Sequence, residues 1–467
     1  MAMSFASERG SGILLSRVRL SSVELSQFDK KPNAPPVWPA VLTSFLHCVS
    51  LGAALMTWLR VCEHVVSPYV EEKDVKDAVK VAAQTYYGRL LAVNAICELV
   101  TSQFVGVASD KHGRRPVQVA AQLGQVIDYL LAALCLPSFG YIGQLKEGAW
   151  FILFFSRGIA GLLGNYKVSL QSYTADISTV EECPTRMAYL GGALVTGMCA
   201  GSMLATAVGV SKISFRWSFL AATAINVGII ALVVVKWRDI APRKDYTWRE
   251  ANPFASFHLL GTNRAMAMYS ALVFLSSFSL NMFSSTLVSY CETFLNMDTP
   301  TFSALVMMWT LESAICLGIV QPALVREVGE IATLQLSFLC MIVFYVLFCL
   351  LTPENSAWVF VIMILFSMGS ITYPLAVSLA TRELPPELQG SLQGAVSVLE
   401  TVAKIIAPLL ASDVIIPAYS EPGQFYGMVY FVAGLLLVPS LWPCHELYKL
   451  TARMNPDRTV MLEEIGG

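Results

Sequence analysis

The chain has 467 residues, 55% of them hydrophobic and only 14% charged, with a formal net charge of −2 at pH 7. Soluble domains carry about 25% charged residues, so this composition excludes water as the solvent for most of the surface. The near-zero net charge supplies no global field for nucleic acid.

Residues 1–38 are polar, with Arg9, Arg17, Arg19, Lys30 and Lys31 running up to Pro35-Pro36. They contain no apolar stretch long enough for a signal peptide and too little apolar surface to form a core, so they are read as a disordered cytosolic tail. Beyond them the apolar residues come in long runs. A helix needs about 20 apolar residues to cross hydrocarbon. Candidate spans lie at 40–62, 86–109, 116–137, 149–174, 187–210, 215–236, 265–291, 301–325, 332–352, 357–381, 390–416 and 425–443.

The expected fold class is all-α, a polytopic membrane protein of twelve transmembrane helices. The linker 237–264 divides it into six-helix bundles at 39–236 and 265–445, with a cytosolic tail at 446–467. Within the linker, Asn252-Pro253-Phe254 followed by Phe257, Leu259 and Leu260 predicts a short interfacial helix. The other long connection, 67–84, is rich in Glu and Lys.

Lys and Arg bias sets orientation. Basic residues gather in the first tail, at 111–115, at Arg186, between Lys236 and Arg264, at Arg326 and Arg382, and after 443. The alternate segments hold only Lys73, Lys76, Lys80, Lys146, Lys212 and Arg216. Both termini are therefore expected in the cytosol; nothing indicates which membrane. The 11 Cys lie mostly inside apolar runs without a CxxC pair. They read as small buried hydrophobes, and no metal or cofactor is expected.

After the second span comes Gly106-Val107-Ala108-Ser109-Asp110-Lys111-His112-Gly113-Arg114-Arg115-Pro116. This resembles the loop signature of the major facilitator superfamily, Gly-x-x-x-Asp-Arg/Lys-x-Gly-Arg-Arg. Gly106 permits close helix approach and Gly113 a tight turn. Asp110 can sit against the positive end of a neighbouring helix. Lys111 holds the basic position after it, and Arg114 and Arg115 can clamp carboxylates across the bundle.

A degraded copy follows span eight: Gly318, Pro322-Ala323-Leu324, Arg326 and Gly329. Arg157-x-x-x-Gly161-x-x-Gly164 is similar to the family's fourth helix. Tyr173-Thr174-Ala175-Asp176, with Glu181, Glu182 and Arg186, is similar to its inside corner. Leu388-Gln389-Gly390-Ser391-Leu392-Gln393-Gly394 with Pro408 resembles the eleventh helix of tetracycline-efflux and proton-coupled folate transporters. Span five reads Gly197-Met198-Cys199-Ala200-Gly201, without the Gly-Pro pair of drug-efflux relatives, so direction stays open. The resemblance implies two bundles that rock about a central site.

Ionisable groups inside a bilayer are functional candidates by default, because each costs a few kcal/mol or more. Glu98, Asp128, Glu312 and Glu400 fall near the middle of spans two, three, eight and eleven, and Arg157 and Lys167 lie on span four. Lys404 is one turn beyond Glu400, on the same face, where the two can neutralise one another. Asp128 lies on a span that the resemblance places at the periphery, where it would anchor packing. Glu312 has no cation within a helical turn and is the expected proton carrier, unless Arg157 or another partner reaches it. Asn281, Tyr373 and His47 lie on spans that the resemblance assigns to the cavity; each could equally make a helix–helix hydrogen bond.

No phosphate loop, His-Glu-x-x-His or Gly-x-Ser-x-Gly motif appears, so no enzyme is expected. The reading is a monomeric secondary transporter of a small organic solute, moved by alternating access and coupled to protons, with the lipid bilayer as its other partner. The rival is a transporter-shaped receptor or scaffold that does not transport.

Overall fold

The computed structural model describes residues 35–69, 75–136, 148–164, 166–179, 182–210, 214–238, 257–383, 386–418 and 427–454. Among these residues all regular structure is helical. Spans one to three are Trp38–Val66, Val75–His112 and Arg114–Cys135. Span four is split into Ala149–Leu163 and Tyr166–Asp176; spans five and six are Cys183–Val210 and Arg216–Lys236.

Span seven is Arg264–Ser289, extended by a π-helical turn at Tyr290–Phe294. Span eight is Thr299–Ile315, a π-turn at Cys316–Val320, and Gln321–Glu327. Span nine is Glu330–Cys349, and span ten is Val359–Gly369 with Thr372–Arg382. Span eleven is Pro386–Leu409 with a π-turn at Leu410–Ile415, and span twelve is Met428–Leu437 continued by Leu441–Met454. Among the described residues, 10 helices are long and apolar enough to cross a membrane. The remaining two crossings are span two, interrupted by Arg89 and Glu98, and span four, broken at Gly164. Both ends of this even-numbered array lie on one face, called here the terminal face.

Local chemistry explains the interruptions. Pro374 cannot donate to the Ser370 carbonyl, and span ten breaks at Ser370–Ile371. Pro322 and Pro417 stand just after the π-turns of spans eight and eleven, where the wider turn accommodates the missing N–H. Gly113 (φ 99°) and Gly329 (φ 92°) occupy the left-handed region, which a side chain would disfavour. Each turns the chain sharply into the next span.

Two expected boundaries shift. Span two is already helical from Val75, inside the segment read as the 67–84 connection, and the final helix runs to Met454, past the expected end of the bundle at 445. In both places charged helical turns extend beyond the apolar run, because the backbone hydrogen bonds continue where hydropathy stops. In the linker, Asn252, Pro253 and Phe254 lie outside the described residues. Phe257–Gly261 forms a 3-10 turn with Leu259 and Leu260 buried.

Within the first bundle, spans one and five cross with backbones nearly touching. A Cβ at Gly52 would come 2.8 Å from the Met198 carbonyl, and one at Gly201 would come 2.9 Å from Gly52 Cα. Small residues permit this approach where lipid offers no hydrophobic drive between helices. The second bundle is filled by aromatic rings around buried Phe283, which meets Trp309, Phe344, Tyr345, Phe348, Phe366 and Tyr430 with centroids 4.3–6.3 Å away.

Candidate substrate and proton site

Spans two and eleven bring three charged side chains together between the bundles. Lys404 Nζ lies 3.8 Å from Glu98 Oε1 and 3.7 Å from Glu400 Oε1. Tyr373 OH, from span ten, donates to Glu400 Oε2 at 3.1 Å. The ammonium is thus shared by carboxylates from opposite bundles. The side chains of Lys404, Glu98 and Glu400 keep 29%, 22% and 26% of their surface exposed, so the cluster can be reached by a ligand. The expected Glu400–Lys404 pair is present; sequence spacing could not show that Glu98, 306 positions away from Lys404, completes it.

Arg157 stands elsewhere. Its guanidinium lies 3.2 Å from Asp128 and 3.7 Å from the Trp58 ring centroid, while Ser156 Oγ donates to the other Asp128 oxygen at 2.8 Å. Asp128 is 0% exposed and Arg157 9%. Arg157, a candidate among the intramembrane charges, thus pairs inside the first bundle, apart from the Glu98–Lys404–Glu400 cluster. Its polar partner lies one helix away, on span three, which no local pattern could reveal.

Glu312 accepts a hydrogen bond from Ser367 Oγ at 3.2 Å and, among the described residues, no cation pairs with it. Asn281 donates to the Ser277 carbonyl of its own helix at 2.7 Å, so its amide hydrogen bond is local. His47 lies 3.3 Å from the Gln122 amide oxygen and packs on Tyr166 with centroids 3.6 Å apart; it is a satisfied interior residue. Lys167 is exposed.

At the signature turn, Arg114 Nε donates to Asp176 at 2.8 Å and its terminal nitrogen to Ser109 Oγ at 3.0 Å. That joins spans three and four. Arg115 donates to the Val234 carbonyl at the end of span six. Arg114 thus pairs with a carboxylate across spans, and this contact of Arg115 is with the negative end of a helix dipole. Gly106 and Asp110 lie on span two, with Lys111 at its end; the side-chain placement of Asp110 lies outside the described residues. The related turn of the second bundle carries Arg382–Glu330 at 2.6 Å, linking spans ten and nine with the signs exchanged.

The hydrogen bonds and ion pairs described between the bundles all fall at the central cluster or on the face opposite the termini. They are Arg60–Glu292, Gln84–Ser285, Gln84–Ser412, Thr85–Ser412, Arg89–Asp413, Thr206–Ser303, Cys199–Met307 and Glu98–Lys404. The bundles are sewn together on that face. Sequence reading missed Arg60, Glu292, Arg89 and Asp413; their signal was a charge near the end of each apolar run.

Comparison with known proteins agrees with this architecture. The pattern of the Major Facilitator Superfamily matches residues 33–408. The class C tetracycline resistance protein of Escherichia coli is 24% identical over 360 residues, covering 76% of this chain and 87% of the relative. The class G protein of Vibrio anguillarum is 26% identical over 356 residues, covering 75% and 85%. Among solved structures, the nucleoside transporter NupG superposes with a TM-score of 0.65 at 13% identity, covering 88% of this chain and 99% of its own. The human organic anion transporter MFSD10 gives 0.64 at 16%, covering 88% and 100%. The chain is a multi-pass membrane protein with the fold shared by these transporters. It belongs to the major facilitator superfamily.

Proposed function

We propose that this protein is a secondary active transporter that moves a small organic solute by alternating access, coupled to protons and acting as a monomer with both termini in the cytosol. The observation that carries the reading is the Glu98–Lys404–Glu400–Tyr373 cluster, which ties the bundles together at the depth where a central ligand would sit. A ligand or proton that engages Glu98 or Glu400 competes for Lys404 and loosens that tie. Charges in such a setting are retained against their cost when they serve a path. Relatives named for tetracycline resistance support an organic solute of that general size.

Glu312 is the proton carrier in this reading, because it lacks an ammonium or guanidinium partner among the described residues and can change protonation without stranding a counter-charge. The test uses purified protein in liposomes. Glu312→Gln should keep solute counterflow and lose accumulation driven by a pH gradient. Lys404→Gln leaves two carboxylates from opposite bundles facing one another uncompensated and should abolish both. Accumulation by Glu312→Gln at the wild-type level would remove Glu312 from the coupling step.

A further inference from the structure

The seam opposite the terminal face is not uniform. Where spans one and seven meet, Arg60 reaches Glu292 at 2.6 Å and also holds Glu63 of its own helix at 3.0 Å. Where spans two and eleven meet, Arg89 reaches Asp413 at 2.8 Å. Where spans five and eight meet, the contacts seen among the described residues are neutral: Thr206 donates to Ser303, and the Cys199 thiol faces the Met307 carbonyl. Both latch carboxylates stand on π-helical turns, Glu292 within Tyr290–Phe294 and Asp413 within Leu410–Ile415. The extra residue of a π-turn re-aims side chains relative to an α-helix and is common at working sites.

Beside the second latch the helices are pressed together. Gln84 donates to the Ser285 carbonyl at 2.9 Å and to Ser412 Oγ at 3.3 Å, and Thr85 donates to the Ser412 carbonyl at 2.9 Å. A Cβ on Gly88 would collide with the Ser412 side chain and lie 3.1 Å from the Pro408 carbonyl. Span two therefore lies flush on span eleven only because position 88 has no side chain.

We propose that Arg60–Glu292 and Arg89–Asp413 form a paired ionic latch that holds this face shut, with Gly88 as the flush point that lets the second half engage, while the neutral five–eight seam is free to slide. The inference rests on alternating access. The two pairs differ in strength. The side chains of Arg60 and Glu292 are 32% and 10% exposed, those of Arg89 and Asp413 57% and 26%. Partial burial weakens screening, so the first pair is the main lock.

The test is double electron–electron resonance on the full-length chain with its native cysteines replaced. One label pair, at Ser67 and Glu354, reports the latched face; a second, at Lys236 and Glu327, reports the terminal face. Arg60→Ala should raise the ratio of long to short distances at the first pair about tenfold, equivalent to about 1.4 kcal/mol, and Arg89→Ala by a smaller factor. The charge swap Arg60→Glu with Glu292→Arg should return the ratio part of the way to wild type, because the exchanged carboxylate would face Glu63. Gly88→Val, which breaks no ion pair, should also open the latched face by wedging spans two and eleven apart. The terminal-face labels should close in step. If both faces exchange in the wild-type protein while the latch and wedge variants leave the ratio unchanged, the latch is wrong and alternating access stands. If no label pair shows a second population in any variant, both are wrong.

Discussion

Fifteen residues after its turn glycine, span three of the first bundle places Asp128; the same distance after Gly329, span nine of the second bundle places Phe344. Asp128 is buried against Arg157 and Ser156, and the Arg157 guanidinium lies over the Trp58 ring. Phe344 is buried against Phe283, Tyr345, Phe348 and Phe366, with centroids 4.7–5.5 Å apart. One bundle is thus centred on a charge pair and the other on rings packed edge-on and tilted. The difference teaches how divisible each core is. An ion pair works only while both partners are present, because either alone is an uncompensated buried charge. A ring cluster loses dispersion contacts in proportion to the atoms removed.

The strongest way to break this comparison is to halve the charge pair. Asp128→Ala should destabilise the protein by about 3–5 kcal/mol, and Arg157→Leu by a similar amount. Asp128→Leu combined with Arg157→Leu should recover most of the loss. Unfolding in detergent micelles would show strongly non-additive effects; additive losses would mean that the two groups do not depend on one another. In the second bundle, Phe344→Leu removes three buried carbons and should cost about 1–2 kcal/mol. There the companion change Phe348→Leu, on a ring in contact with Phe344, should couple with it by about 0.5 kcal/mol, far less than the two halves of the charge pair, which the same unfolding experiment reads.

The corners of the two bundles sharpen the contrast. Arg114 begins span three and Asp176 ends the second part of span four, so each charge opposes its helix dipole and the pair must be held by direct contact. Glu330 begins span nine and Arg382 ends span ten, with both charges favoured by their dipoles. The first pair is also more buried, with side chains 15% and 22% exposed against 62% and 32%. Arg114→Ala should therefore cost about 1–2 kcal/mol, slow exchange between the two open states and leave solute affinity largely intact. Arg382→Ala should cost about 0.5 kcal/mol or less. Exchange rates and unfolding midpoints measured on both variants would reverse the assignment if Arg382→Ala proved the more damaging.

The general plan of this protein was written in one dimension. Twelve apolar runs, and Gly113 with Arg114 behind it, were legible because hydrocarbon thickness fixes helix length and a tight turn demands glycine. The i, i+4 pair Glu400–Lys404 was legible for the same local reason. The partners of those charges were not. Glu98 meets Lys404, Arg157 meets Asp128 and Arg60 meets Glu292 across separations of 306, 29 and 232 residues. Nothing within a helical turn of either member signals the other. Which intramembrane charge is spent on packing, which is shared between bundles and which is left with only a hydroxyl is decided by helix rotation and crossing. Those are set by close contacts such as Gly52 against Met198 and Gly88 against Ser412, and they exist only once the bundles have assembled.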